Sequence, residues 1–134
     1  MTVLLDTHVW VWWLLGSNRI ANKERQELDR LASQGALRIA AVSLGEAQML
    51  HAKGRLTLDR PFEMWLREAA AADVVQIVPL DVEVVIQLDK LPRSFHGDPA
   101  DRLIVSSSRA HKIPLATHDR AIRKSRVTTL WKPG

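Results

Sequence analysis

Five acidic residues carry the chemical interest of this sequence: Asp6, Glu46, Asp98, Asp101 and Asp119. Each stands where the local pattern ends a strand or opens a helix. Asp6 follows the apolar run Val3-Leu4-Leu5, and Glu46 lies one helical turn past a second apolar run. Asp98 and Asp101 bracket a helix start that has Pro99 at its first position. Asp119 falls just after Ala116, which closes another apolar run. Carboxylates gathered in one cleft repel each other and titrate at raised pH unless a counter-ion is present. Helix N-termini relieve part of that repulsion. A hard divalent cation relieves more, because Mg2+ and Mn2+ prefer carboxylate oxygen and water. Each acid alone has a plain structural reading. Asp6, Asp98 and Asp119 suit N-caps, Asp101 a first helical turn, and Glu46 the reciprocal partner of Ser43 in a capping box. Their joint placement is what points to a metal site.

That placement follows from the elements. Apolar runs predict strands over residues 2–5, 37–42, 74–78, 113–116 and 127–130. Between them, periodicity and stop signals predict helices over 7–15, 21–34, 43–53, 61–72, 81–89, 98–111 and 120–124, with a loop over 91–97. Strands alternating with helices imply crossover connections. The expected fold is a three-layer α/β/α sandwich with a mostly parallel central sheet, one domain over residues 1–134. Sites in such sheets form beyond the carboxyl ends of the strands. A helix that precedes a parallel strand starts at that same edge, so all five acids are expected there.

Composition narrows the chemistry. In 134 residues, 46% apolar and 25% charged content match globular averages and argue against disorder. Cysteine is absent, which excludes a disulfide scaffold, a thiolate nucleophile and cysteine-based zinc or iron–sulfur sites. Carboxylates remain the natural ligands, and a reducing, cytoplasmic location is expected. Asp6 interrupts the apolar start, so no signal peptide is read. The apolar run that follows is far shorter than the roughly 20 residues of a membrane helix. Lysine and arginine number 19 against 15 acidic residues, a net +4. Outside the five candidate acids the balance becomes about +9, a basic shell around an acidic cleft. Such a shell suits a polyanionic partner.

Four segments in order resemble the PIN-domain ribonucleases, specifically the VapC-type toxins of type II toxin–antitoxin systems. They are Leu4-Leu5-Asp6-Thr7-His8-Val9-Trp10, Ala41-Val42-Ser43-Leu44-Gly45-Glu46, His96-Gly97-Asp98-Pro99-Ala100-Asp101-Arg102-Leu103-Ile104, and Pro114-Leu115-Ala116-Thr117-His118-Asp119. The resemblance implies a metal site of Asp6, Glu46, Asp101 and Asp119, with Asp98 a second aspartate at the same place. Ser106-Ser107-Ser108 departs from the alanine-rich stretch usual there and bears on local packing. The implied activity is Mg2+-dependent endoribonuclease cleavage, with Mn2+ as a substitute. Water attacks in line and leaves a 5′-phosphate and a 3′-hydroxyl. Asp6 with Asp101 or Asp98 would hold one ion, while Glu46 and Asp119 would orient the water or help bind a second. Structured RNA such as tRNA or rRNA is the implied substrate. A VapB-type antitoxin is the implied neutralising partner. A homodimer with no membrane association is expected.

Other residues near these motifs have candidate roles. Thr7 and Thr117 flank two of the acids and can either hold carboxylates in place or simply cap helices. Ser43 joins them and reads as the N-cap of its helix. His8 and His118 would permit zinc, but oxygen-rich surroundings favour Mg2+. A Ser–His–Asp triad lacks its elbow motif. Arg102, Arg109, Arg120, Arg123 and Lys124, with Arg93 and Arg126 nearby, are candidate phosphate contacts or ordinary solvated surface. Trp10 and Trp13 share a helix face while Trp12 points elsewhere, so either all three are buried or Trp12 is available for a base, a dimer or a partner helix. Two alternatives stay open: a non-catalytic PIN-like module that binds RNA or protein, and, more distantly, a phospho-receiver domain.

Overall fold

A computed structural model describes residues 1–95 and 97–133. His96, which opens the third motif segment, and Gly134 lie outside the described residues. The elements run β1 (Val3–Leu5), α1 (Thr7–Leu14), α2 (Asn22–Ser33), β2 (Leu37–Ala40), α3 (Ala41–Ala52), α4 (Phe62–Ala69), β3 (Gln76–Val78), α5 (Val82–Lys90), α6 (Pro99–His111), β4 (Leu115–Ala116) and α7 (Arg120–Ser125). The sheet is parallel in order β3-β2-β1-β4. The three-layer α/β/α expectation is therefore borne out.

β1 lies between two neighbours, and all three of its residues are buried. A strand covered on both faces needs apolar side chains on both, hence an unbroken Val-Leu-Leu run rather than alternation. Val3 and Leu5 enter the core beneath α1, α2 and α4, with Trp10, Leu28, Leu31 and Trp65. Leu4 enters the core beneath α6 and α7, with Ile104, Leu115 and Ile122. Trp10 is fully buried, and its indole N–H donates to the Ala69 carbonyl at 3.1 Å. Trp13 donates instead to Asp29 on α2 at 2.8 Å.

Two expectations need correction. The first is Ser43 as N-cap of its helix, with a strand continuing to residue 42. β2 ends at Ala40, which is itself the N-cap and bends straight into α3 without a loop. Ser43 therefore sits inside the first turn, fully buried, and no capping box with Glu46 forms. The second is the strand over 127–130. Only a single bridge, Leu115 to Leu130, is present there among the described residues. β4 is too short to take more. Pro114 lacks an N–H, and its carbonyl serves Leu4 at 2.9 Å. Only Leu115 offers both groups outward, to the Thr129 carbonyl at 2.9 Å and the Trp131 N–H at 2.8 Å.

Because Leu4 is fully buried in the central strand, Leu4→Ala should destabilise the protein by about 2–5 kcal/mol. Urea denaturation followed by circular dichroism checks this.

Candidate functional site

Sheet register builds the site. Leu5 pairs with Ile39 on one side and Ala116 on the other. One residue further along, Asp6 therefore stands beside the end of β2 and beside Thr117. Asp6 is 5% exposed and both its oxygens are occupied. Its Oδ1 accepts the Thr7 backbone N–H at 2.8 Å, and its Oδ2 accepts the Thr117 hydroxyl at 2.6 Å. The same Thr117 oxygen accepts the Asp119 backbone N–H at 3.0 Å. One hydroxyl thus ties the ends of β1 and β4 together.

Thr7 does the matching work towards α3. Its hydroxyl donates to Glu46 Oε1 and lies 2.8 Å from Ser43 Oγ. A hydroxyl carries one proton, so with that proton on Glu46 the Ser43 hydroxyl must be the donor to Thr7. Ser43, Thr7 and Glu46 form a directed chain. The hydroxyls of Thr7 and Thr117 hold carboxylates and do not merely cap helices.

The remaining acids arrive on helix starts. Asp98 caps α6 by accepting the Asp101 N–H at 2.8 Å, and Asp119 caps α7 by accepting the Ile122 N–H at 2.9 Å. Gly97 lets the loop come close: a Cβ there would lie 2.8 Å from Phe95 Cζ and 3.1 Å from Asp101 Cβ. Asp6, Glu46, Asp98, Asp101 and Asp119 together line a cleft of about 310 Å³, with His8, Trp12, Arg19 and His118. The structural readings and the joint placement coexist, since a capped carboxylate still offers its second oxygen.

Charge crowding shows in the titration of these groups. Burial pushes the Asp101 carboxyl up to about 7, reinforced by the charges of Asp98, Asp6, Asp119 and Glu46. Burial also raises Asp6, against the pull of its bonds from Thr117 and Thr7. Glu46 is raised by burial and by Asp6 and Asp98, against its bond from Thr7. Among the described residues, no three His, Asp or Glu side chains stand close enough to enclose an ion.

The PIN domain family model matches residues 3–127. The chain belongs to the PIN-domain family. Within it the chain is of the VapC type, 35% identical over 133 residues to Ribonuclease VapC22 of Mycobacterium tuberculosis, covering 97% of this chain and 98% of that protein. Among solved structures, VapBC2 from Rickettsia felis, bound to a DNA fragment from its promoter, superposes with TM-score 0.72 at 17% identity over 98% of both chains. FitAcB from Neisseria gonorrhoeae does so with TM-score 0.69 at 20% identity, again over 98% of both.

The expected basic contacts lie elsewhere on this PIN domain. Arg102 donates to the Phe95 carbonyl and faces a groove between α5 and α6. Arg109 is held by Gln87 and the Val127 carbonyl. Arg123 lines a small depression with Glu24, Trp131 and Lys132, while Arg120 and Lys124 are exposed on α7. The arginine that does line the acidic cleft is Arg19, which sequence reasoning missed. Its signal was the stop at Gly16, where φ is +68°, since a chain reversing there returns along α1. Trp12 also lines the cleft, on the face that Trp10 and Trp13 do not share.

The raised Asp101 carboxyl has a stability consequence. The folded chain keeps a proton there that the unfolded chain, with a value near 3.8, has released. The stabilisation is fully present below the unfolded value and is lost as pH rises through about 7. In EDTA the melting temperature should fall over that window, and Asp101→Asn should remove most of the fall. Differential scanning fluorimetry checks both; equal pH profiles for the two proteins would refute the crowding account.

Proposed function

We propose that this protein is a divalent-metal-dependent endoribonuclease toxin that hydrolyses RNA phosphodiesters in the acidic cleft, and that a VapB-type antitoxin neutralises it. The observation that carries this reading is the convergence of five carboxylates from separate parts of the chain on one cleft. Membership of the VapC type and the identity to Ribonuclease VapC22 support the same activity.

The donor set fits a hard cation. Its five carboxylates supply oxygen, burial together with their mutual charge raises Asp101 to about 7, and among the described residues Arg19 is the one guanidinium lining the cleft. Mg2+ keeps several of its waters and takes one or two carboxylates, so a closed three-ligand cage is not required. Asp6 and Asp101 are the primary candidates to hold it, with Asp98, Glu46 and Asp119 beside them. When bound, the ion supplies Lewis acidity that acidifies water and offsets phosphate charge.

The protein's own groups do the positioning. Thr117 and the Thr7 N–H fix both oxygens of Asp6, so this carboxylate cannot swing when a polyanion enters. The chain from Ser43 through Thr7 fixes Glu46 towards the cleft. Asp101 would have to release its proton to hold a cation, so loading would be favoured above about pH 7 and weak in acid. Glu46 and Asp119 are placed to orient an attacking water. A structured RNA such as tRNA or rRNA is the proposed substrate.

Purified protein should cleave RNA with Mg2+ or Mn2+, stop with EDTA, and leave 5′-phosphate ends. Thr117→Val should lower activity about 10- to 100-fold without unfolding the protein, the usual loss when a group orienting a ligand is removed. Asp6→Asn and Asp101→Asn, which remove a ligand itself, should lose more. Undiminished cleavage by either asparagine variant would overturn the assignment.

A further inference from the structure

The acids share their cleft with an aromatic and cationic group. Trp12 lines it with His8, His118 and Arg19. His8 stands one helical turn before Trp12, with ring centroids 5.6 Å apart. His118 meets the indole edge-on, at 5.6 Å and 86°. His118 is itself held, its Nε2 lying 3.0 Å from both carboxylate oxygens of Glu24. The Arg19 guanidinium lies over the Trp12 ring, 5.4 Å from its centroid.

Trp12 differs from its neighbours on α1. Trp10 is buried with its N–H on Ala69, and Trp13 spends its N–H on Asp29. Trp12 is only half-buried, and among the described residues its N–H has no protein acceptor. Its orientation is set from two sides by histidines, and a cation rests on it. That is how a stacking surface is prepared before a ligand arrives.

A phosphodiester approaching five carboxylates is repelled, so a strand needs an anchor that does not depend on an acidic floor. An indole face provides one, since every nucleobase has a π-face, and arginine both stacks on bases and pairs with phosphate. We propose that Trp12 is a base-stacking platform. One nucleobase beside the cleaved bond displaces Arg19 from the indole face, Arg19 then closes over the base or meets the adjoining phosphate, and the cleaved phosphate is thereby placed over the acids. The inference rests on the ribonuclease reading and adds to it a residue that positions substrate.

The test is steady-state cleavage of a dye-labelled stem-loop oligoribonucleotide whose loop carries all four bases, with abasic nucleotides introduced one loop position at a time. Trp12→Leu should raise KM about 5- to 150-fold, the range for losing one stacked base, with a smaller effect on kcat. Trp12→Phe should recover part of the loss. Removing one base next to the cleaved bond should cost the wild-type protein a similar factor and cost Trp12→Leu nothing further. Arg19→Ala should weaken binding and lower its log–log salt slope by about 0.7, the value for one phosphate contact on a single strand. Melting temperatures show which variants are folded, and Trp12→Phe carries the cycle should the leucine variant not fold. An unchanged KM, or base removal costing wild-type and variant equally at every position, overturns the platform while leaving the ribonuclease intact. Absence of cleavage of the oligoribonucleotide, of tRNA and of rRNA by the wild-type protein in Mg2+ and Mn2+ overturns the ribonuclease reading and the platform with it.

Discussion

Burial of mutually repelling carboxylates at the ends of the parallel strands is the constraint on which the rest of this structure depends. Five acids in one cleft are held there against their desolvation, the larger cost, and against their mutual charge. The fold meets that cost with rigid, fully apolar strands beneath the acids and with hydrogen-bond donors aimed at them. Thr117, the Thr7 hydroxyl and N–H, and the helix starts at Asp98 and Asp119 all contribute. Asp101 shows where these donors run out, since its carboxyl is the one driven furthest towards neutral pH.

Much of this was legible in the residue order. The continuous Val-Leu-Leu run reads as a strand covered on both faces, which places the acid directly after it at the strand tip. Asp98-Pro99 marks its helix start to the residue. The errors arose where tertiary structure overrides local pattern. Ser43-Leu44-Gly45-Glu46 has capping-box spacing, yet β2 enters α3 without a loop and carries Ser43 past the cap position. The run over 127–130 has strand composition, but a strand needs a neighbour with free backbone groups, and Pro114 limits β4 to one such residue. Arg19 was missed because Gly16 marks where α1 ends but not which cleft the returning loop covers.

The charges of the chain are sorted rather than mixed. The five clustered acids account for much of the negative charge, and most of the basic residues that a strand could meet lie outside the cleft. Arg102 and Arg109 are bonded to backbone carbonyls, which orients them but leaves their charge in place. On the proposed ribonuclease reading, a polyanion is drawn towards the molecule by its outer surface and met at the cleft by the Trp12 indole and the Arg19 guanidinium. Attraction at long range and placement at short range fall to different residues.

The bond between Thr117 and Asp6 spans 111 residues of sequence. β1, although first in the chain, lacks one of its two strand neighbours until β4 has been made. Contacts of such separation form late and together. A chain still emerging from the ribosome therefore carries its first acid, its helix glutamate and its tryptophan without the geometry that combines them. Assembly of the cleft waits for β4, and a nascent chain is without its combined acids until that strand has docked beside β1.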